Sequence, residues 1–200
     1  MFKKDRDEIK LAFENLRDNF LENIEKHTVN QFLPTSPKID STSLVLNLGR
    51  FLTKKGHKAI IIESNFTNPT LSKKAGVELD RGLYEILSEK RPYENFIIKD
   101  PIEKNLDMIL APRAREDQEE FLDIDRLDDI YYSLSLKYDY ILLDTASDAE
   151  EDDSKLYADL VDGVIVVASK KDFRQKKLKA SLNKLEELNA PIKGIITTDN

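Results

Sequence analysis

The chain predicts a three-layer α/β/α fold on a mostly parallel sheet, and three observations carry that expectation. Two unbroken apolar runs, Lys58-Ala59-Ile60-Ile61-Ile62-Glu63 and Asp139-Tyr140-Ile141-Leu142-Leu143-Asp144, each end in a carboxylate. Such runs suit parallel strands buried on both faces. Amphipathic segments of helical period stand between the runs, so strand and helix alternate. The chain has 200 residues, 40% of them hydrophobic and 34% charged, which suits one domain spanning 1–200 with a sizeable core.

From the N-terminus, residues 7–26 read as a helix, with Ile9, Phe13, Leu16, Phe20 and Ile24 at three- and four-residue steps. Thr28 to Leu33 is a short apolar strand stopped by Pro34. Thr42 to Lys55 is a second helix with Leu44, Leu48, Phe51 and Leu52 inward, and Gly56 is its stop. After the strand ending at Glu63, Pro69 and Gly82 punctuate the chain, and Gly82 to Leu87 forms a short helix. Leu106 to Leu110 is a strand, and Asp117 to Leu136 is mainly helical with an acidic outer face. Beyond the strand ending at Asp144, Val161 to Ala168 is another strand, interrupted by Asp162-Gly163. Phe173 to Leu188 is a helix with Leu178, Leu182, Leu185 and Leu188 inward, and Pro191 opens a last strand, Ile192 to Thr197.

A net charge of −7 argues against a dedicated nucleic-acid binder, and the basic clusters Lys170-Lys171 and Arg174 to Lys179 do not reverse it. With no cysteine there is no disulfide framework, thiolate metal site or cysteine nucleophile. The charged opening Met1 to Glu8 argues against a signal peptide or membrane-inserted helix, which fits a cytoplasmic location.

On a parallel sheet, ligands sit outside the carboxyl ends of the strands. The segments 34–41, 63–69 and 144–153 lie at such ends and are expected to converge. The first joins strand to helix, the place of a phosphate-binding loop. Such a loop needs glycines to turn N–H groups toward phosphate, a lysine for the outer phosphates, and a Ser or Thr for magnesium. Here no glycine is present, and Ser41 stands where the lysine belongs. Lys38, Ser41, Thr42 and Ser43 are the nucleotide-binding candidates, with Thr42 and Asp144 the magnesium candidates. Non-glycine residues resist positive φ by about 1 kcal/mol or more each. Asp40 at about 4 Å from a phosphate charge opposes it by about 4 kcal/mol at an effective dielectric near 20. The plainer reading is a connecting loop whose helix is capped by Ser41 or Thr42.

Glu63 and Asn65 at one strand end can polarise a water or hold a metal, although Asn65 has no titratable group for base catalysis. As bland alternatives, they are polar residues at a strand end, and Asp144 is a helix-cap or salt-bridged carboxylate. The acidic run Asp148 to Asp153 reads as a solvated segment, with a divalent-cation site as the sharper alternative. His27 and His57 read as surface or strand-edge residues, and no nucleophile–base arrangement stands out.

In this order the segments resemble the cytoplasmic domain of bacterial tyrosine kinases of capsule and exopolysaccharide synthesis, within the ParA/MinD-like P-loop ATPases. Ile9 to Asn19 resembles the helix before the P-loop, where a Glu-x-x-Arg-x-x-Arg pattern serves self-association. Only Arg17 keeps its place, with Leu11 and Glu14 at the other two positions. Thr35-Ser36 and Asn47-Leu48 flank the loop as in the family, which sets Lys38 and Asp40 on two glycines and Ser41 on the Walker lysine. Ile62 to Leu71 is similar to Ile-Asp-Ala-Asp-Leu-Arg-x-Pro-x-Leu, with Glu63 and Asn65 for the aspartates and Thr67 for the arginine. Gly82 to Leu87 looks like Gly-Leu-x-x-x-Leu, and Tyr138 to Thr145 looks like the Walker B strand, followed by Ala146-Ser147 instead of Pro-Pro. Ala158 to Val167 and Gly194 to Ile196 match the last two strands, with Thr198 where the family's base-contacting Asn falls. The kinases' tyrosine-rich tail has no counterpart, since no tyrosine follows Tyr157.

The resemblance implies a P-loop NTPase-like fold of ParA/MinD type with degenerate Walker motifs. It implies a regulatory or binding module that needs no cofactor, at the inner face of the membrane. Its partners would be a membrane-anchored polysaccharide co-polymerase or chain-length regulator, a kinase relative, or itself. The alternatives are an active tyrosine kinase or ATPase binding MgATP and MgADP through an atypical loop of Lys38, Thr42 and Asp144, and a ParA/MinD-like positioning ATPase.

Overall fold

The computed structural model describes residues 18–66, 68–111, 123–147, 157–171 and 176–198. Six strands form one sheet: β1 (Thr28–Pro34), β2 (Ala59–Ser64), β3 (Leu106–Ile109), β4 (Tyr140–Thr145), β5 (Gly163–Ser169) and β6 (Ile192–Thr198). Their order is β3-β2-β4-β1-β5-β6, and every neighbouring pair is parallel. The helices are α1 (residues 18–23), α2 (Ser41–Lys54), α3 (Leu71–Ala75), α4 (Leu83–Ser88), α5 (Ile124–Ser135) and α6 (Lys176–Glu187). Of the helix expected over 7–26, residues 18–23 are seen, and residues 7–17 lie outside the described residues. The helix expected from Asp117 is described from Ile124, where Asp123 Oδ1 accepts from Arg126 N at 3.1 Å. Residues 112–122 and the acidic run Asp148 to Asp153 lie outside the described residues.

Each face of the sheet has its own core. Phe32, Ile61, Leu142 and Val167 meet α1 and α2 through Phe20, Val45, Leu48 and Leu52. Ile60, Ile62, Ile141 and Val166 meet α4, α5 and α6 through Ile86, Leu127, Tyr131 and Leu178. Strands β2, β4 and β5 are buried at every residue, which is why their sequences are continuous apolar runs. Strand β6, at the sheet edge, alternates half-buried and exposed instead. The expected stop at Gly56 is met, since its φ of 91° is a left-handed turn that glycine adopts at no steric cost. Among the described residues no helix is long and apolar enough to cross a membrane.

One expectation shifts at β5. The strand begins at Gly163, and Asp162 before it is clipped to Val29, its N donating to Val29 O at 2.9 Å and its Oδ2 accepting from Val29 N at 2.8 Å. A Cβ on Gly163 would lie 2.5 Å from Asn30 Oδ1 and 2.7 Å from Lys193 Cγ, with Asn30 only 1% exposed. Gly163→Ala should therefore destabilise the fold by about 1–3 kcal/mol through overpacking. A urea unfolding midpoint equal to that of the parent would refute this.

Candidate functional site

The carboxyl ends of β1, β2 and β4 do converge, around a cleft of about 220 Å³. Strand β1 stops where two prolines, Pro34 and Pro37, remove ladder donors, and α2 starts at Ser41. The intervening loop closes on itself. Lys38 N points to Ser36 Oγ at 3.4 Å, Ile39 N donates to Ser36 O at 3.1 Å, and Ser41 N donates to Ile39 O at 3.0 Å. Upstream, Thr35 N donates to Val167 O at 2.9 Å. In a phosphate-binding loop, successive backbone N–H groups face the ligand instead.

The helix cap is Asp40, not Ser41 or Thr42 as expected, and its Oδ1 accepts from Ser43 N at 3.0 Å. Aspartate caps as well as serine, and the carboxylate favours the positive end of the helix dipole. Lys74, on α3, holds the other oxygen: its Nζ lies 2.8 Å from Asp40 Oδ2 and 2.7 Å from Ser43 Oγ. Desolvation pushes the Asp40 carboxyl up, but the bonds from Lys74 and Ser43 outweigh it and hold it below the usual aspartate value.

Beneath the loop, Glu63 and Asp144 sit opposite each other on β2 and β4, both 0% exposed. Glu63 is tied to backbone: Oε1 accepts from Leu71 N at 2.7 Å and Oε2 from Ala111 N at 3.0 Å. It thus fixes the start of α3 and the chain leaving β3. Burial pushes its pKa up to about 7 against those two bonds, and the neighbouring Asp144 adds to the rise. Asp144 Oδ1 accepts from Ser41 Oγ at 3.3 Å, whereas Oδ2 has no hydrogen-bond partner among the described residues. Burial pushes Asp144 up to about 6, opposed by the Thr42 and Ser41 hydroxyls. It is neither a helix cap nor part of a salt bridge among the described residues, because it lies inside the sheet rather than at a helix start.

Of the residues singled out in the sequence, Lys38, Ser41, Thr42 and Asn65 line the cleft. Ser43 is engaged by Asp40 and Lys74, and Asn65 Oδ1 accepts from Asn68 N at 2.9 Å. Thr42 Oγ1 accepts from Thr70 Oγ1 at 3.1 Å. Thr198 ends β6, paired with Ser169 and away from the cleft. His27 and His57 precede β1 and β2, at the opposite end of the sheet. His27 Nδ1 meets the carbonyls of Ser135 and Tyr138, and His57 stands edge-on to Tyr140. Sequence reasoning missed Lys74 and Thr70, whose partners Asp40 and Thr42 lie 34 and 28 residues away. The motif resemblance of Ile62 to Leu71 marked the stretch holding Thr70, but nothing marked Lys74.

The residues present fit a magnesium triphosphate poorly. Ser43 N is capped by a carboxylate, the loop has no glycine, and three loop N–H groups point at loop oxygens. Thr42 and Asp144 are the two magnesium candidates, and no group of three or more His, Cys, Asp or Glu that could hold a metal ion gathers among the described residues.

The fold is similar to that of MinD proteins of known structure. The septum-site protein MinD of Pyrococcus horikoshii, solved with Mg-ADP, superposes over 85% of this chain and 69% of its own, with a TM-score of 0.70 at 20% identity. Relatives of the chain include proteins named as bacterial tyrosine kinases. CapB of Staphylococcus aureus, named as a tyrosine-protein kinase, is 22% identical over 195 residues, 96% of this chain and 85% of its own. AmsA of Erwinia amylovora, similarly named, is 26% identical over 80% of this chain. The chain spans only 22% of AmsA's length. The kinase domain of VpsO superposes with a TM-score of 0.82 at 21% identity, covering 98% of each chain. No protein-family model matches the chain.

Proposed function

We propose that the protein is a non-catalytic tyrosine-kinase-like domain, acting as a regulatory or binding module in capsule or exopolysaccharide assembly at the inner face of the membrane. The observation that carries this reading is the self-closed loop: Lys38, Ile39 and Ser41 direct their N–H groups to Ser36 and Ile39. Without those donors, a triphosphate loses the backbone cradle that its charge requires, and Lys38 supplies one cation in place of several aligned dipoles. The kinase homologues support the polysaccharide setting by resemblance. Protein partners follow from the same source: a membrane-anchored chain-length regulator, a kinase relative, or a second copy.

Calorimetric titration with MgATP and MgADP tests the reading. The expected result is no heat and no melting shift at millimolar nucleotide. A ligand present at about 100 times its dissociation constant would stabilise the folded protein by about 2.7 kcal/mol, a shift that melting curves resolve. Micromolar binding would overturn the proposal, and Lys38→Ala would then be expected to abolish it.

A further inference from the structure

We infer that the Asp40 carboxylate is a built-in substitute for a bound phosphate, held by the α2 N-terminus and the Lys74 amine in the place an external anion would take. The inference rests on the non-catalytic reading and deepens it, because it names what fills the site. Three contacts define the arrangement: Ser43 N to Asp40 Oδ1 at 3.0 Å, Lys74 Nζ to Asp40 Oδ2 at 2.8 Å, and Lys74 Nζ to Ser43 Oγ at 2.7 Å. A backbone donor at a helix N-terminus, a lysine amine and a hydroxyl are the donor set that binds phosphate oxygens elsewhere. Here the backbone donor and the amine already serve one anion, the amine also bonds the Ser43 hydroxyl, and that anion belongs to the chain. Lys74 arrives from α3, whose first N–H is anchored by Glu63 Oε1 at 2.7 Å, so the cation is positioned from a buried strand end. Thr70 reaches Thr42 at 3.1 Å, a second tie between the α3 approach and the first turn of α2. The internal carboxylate thereby fastens the 68–75 segment to the helix start without any ligand.

The test is to shorten the plug while keeping the cap. Asp40→Ser retains an N-cap oxygen and removes the carboxylate, leaving the cations Lys74 and Lys38 on the cleft wall without it. Inorganic pyrophosphate is the probe. The parent protein should show no melting shift, whereas Asp40→Ser should melt about 3–6 °C higher when pyrophosphate stands at about ten times its dissociation constant. Asp40→Ser/Lys74→Ala should lose that gain. Asp40→Asn, which keeps the shape and discards the charge, should show a smaller gain and serves if the serine variant does not fold. No gain in either Asp40 variant at 10 mM probe (on the order of ten times a millimolar dissociation constant), or a gain indifferent to Lys74, would overturn the inference. Such a failure leaves the non-catalytic reading standing, since that reading depends on the silence of the parent toward MgATP.

Discussion

Acidification from pH 8 to 5.5 should stabilise this protein by about 2 kcal/mol, the reverse of the usual acid response. The source is the buried pair at the ends of β2 and β4. Glu63 titrates near 7 in the fold against an ordinary 4.5, and Asp144 near 6 against 3.8. A carboxyl whose folded pKa is raised binds its proton more tightly in the native state. Its stabilisation is full below the unfolded value and is lost as the pH climbs through the folded one. For Glu63 the window is therefore 4.5 to 7, and for Asp144 it is 3.8 to 6. Each full window is worth on the order of 3 kcal/mol, but the two carboxyls repel each other and their contributions do not simply add. Below about pH 4 the trend should turn over, because Asp40 and Asp139 are held below the usual aspartate value by their partners and lose that stabilisation on protonation. Urea midpoints measured across pH would show the slope, and Glu63→Gln should flatten most of it above pH 6. A midpoint that falls steadily between pH 8 and 5.5 would contradict the buried pair as the controlling groups.

Phe32→Ala should cost about 3–5 kcal/mol, the range for truncating a wholly buried aromatic ring. Phe32 is 0% exposed on the central strand, stacked at 6.4 Å on Phe20 of α1, which in turn tilts against Tyr140 at 5.7 Å. Removing the ring leaves a cavity under α1, since strand pairs on both sides of β1 prevent the backbone from collapsing into it. Phe32→Leu, which keeps most of the volume, should lose far less. A chemical-denaturation difference below about 1 kcal/mol for the alanine variant would mean that α1 is not part of the cooperative core.

The sheet was legible because β2 and β4 are buried on both faces, and nothing but apolar residues ending in a polar one satisfies that. Helices of a dozen residues or more, such as α2 and α6, show their inner stripe through Leu48 and Leu52 or Leu178 and Leu185. The five-residue α3 has no room for a period, so its Gly76 stop at φ 68° went unread. The candidate site was legible in place but not in wiring. Lys38, Thr42 and Asn65 could be assigned to one cleft from strand ends alone. Asp40 rather than Ser41 caps α2 through a local bond from Ser43 N, whereas its second partner, Lys74, lies on another helix and has no local signal. Glu63 looked like an altered motif residue. Its role as a staple for two backbone N–H groups depends on where Leu71 and Ala111 come to rest, and strand patterns do not encode that.

The position of β1 between β4 and β5 also sets the order in which the chain can assemble. Its neighbours are supplied late: Thr145 Oγ1 reaches Phe32 O from 113 residues downstream, and Asp162 reaches Val29 N from 133 downstream. During synthesis, the strand that carries the loop waits with both edges bare until β4 and β5, more than 100 residues downstream, have emerged. Pairings so distant make for slow folding and for exposed edges while the chain is incomplete. Val29 to Leu33 is thus the segment whose shielding during translation matters most. Strands β4 and β5, rather than the edge strand β6, decide whether the centre of the sheet closes.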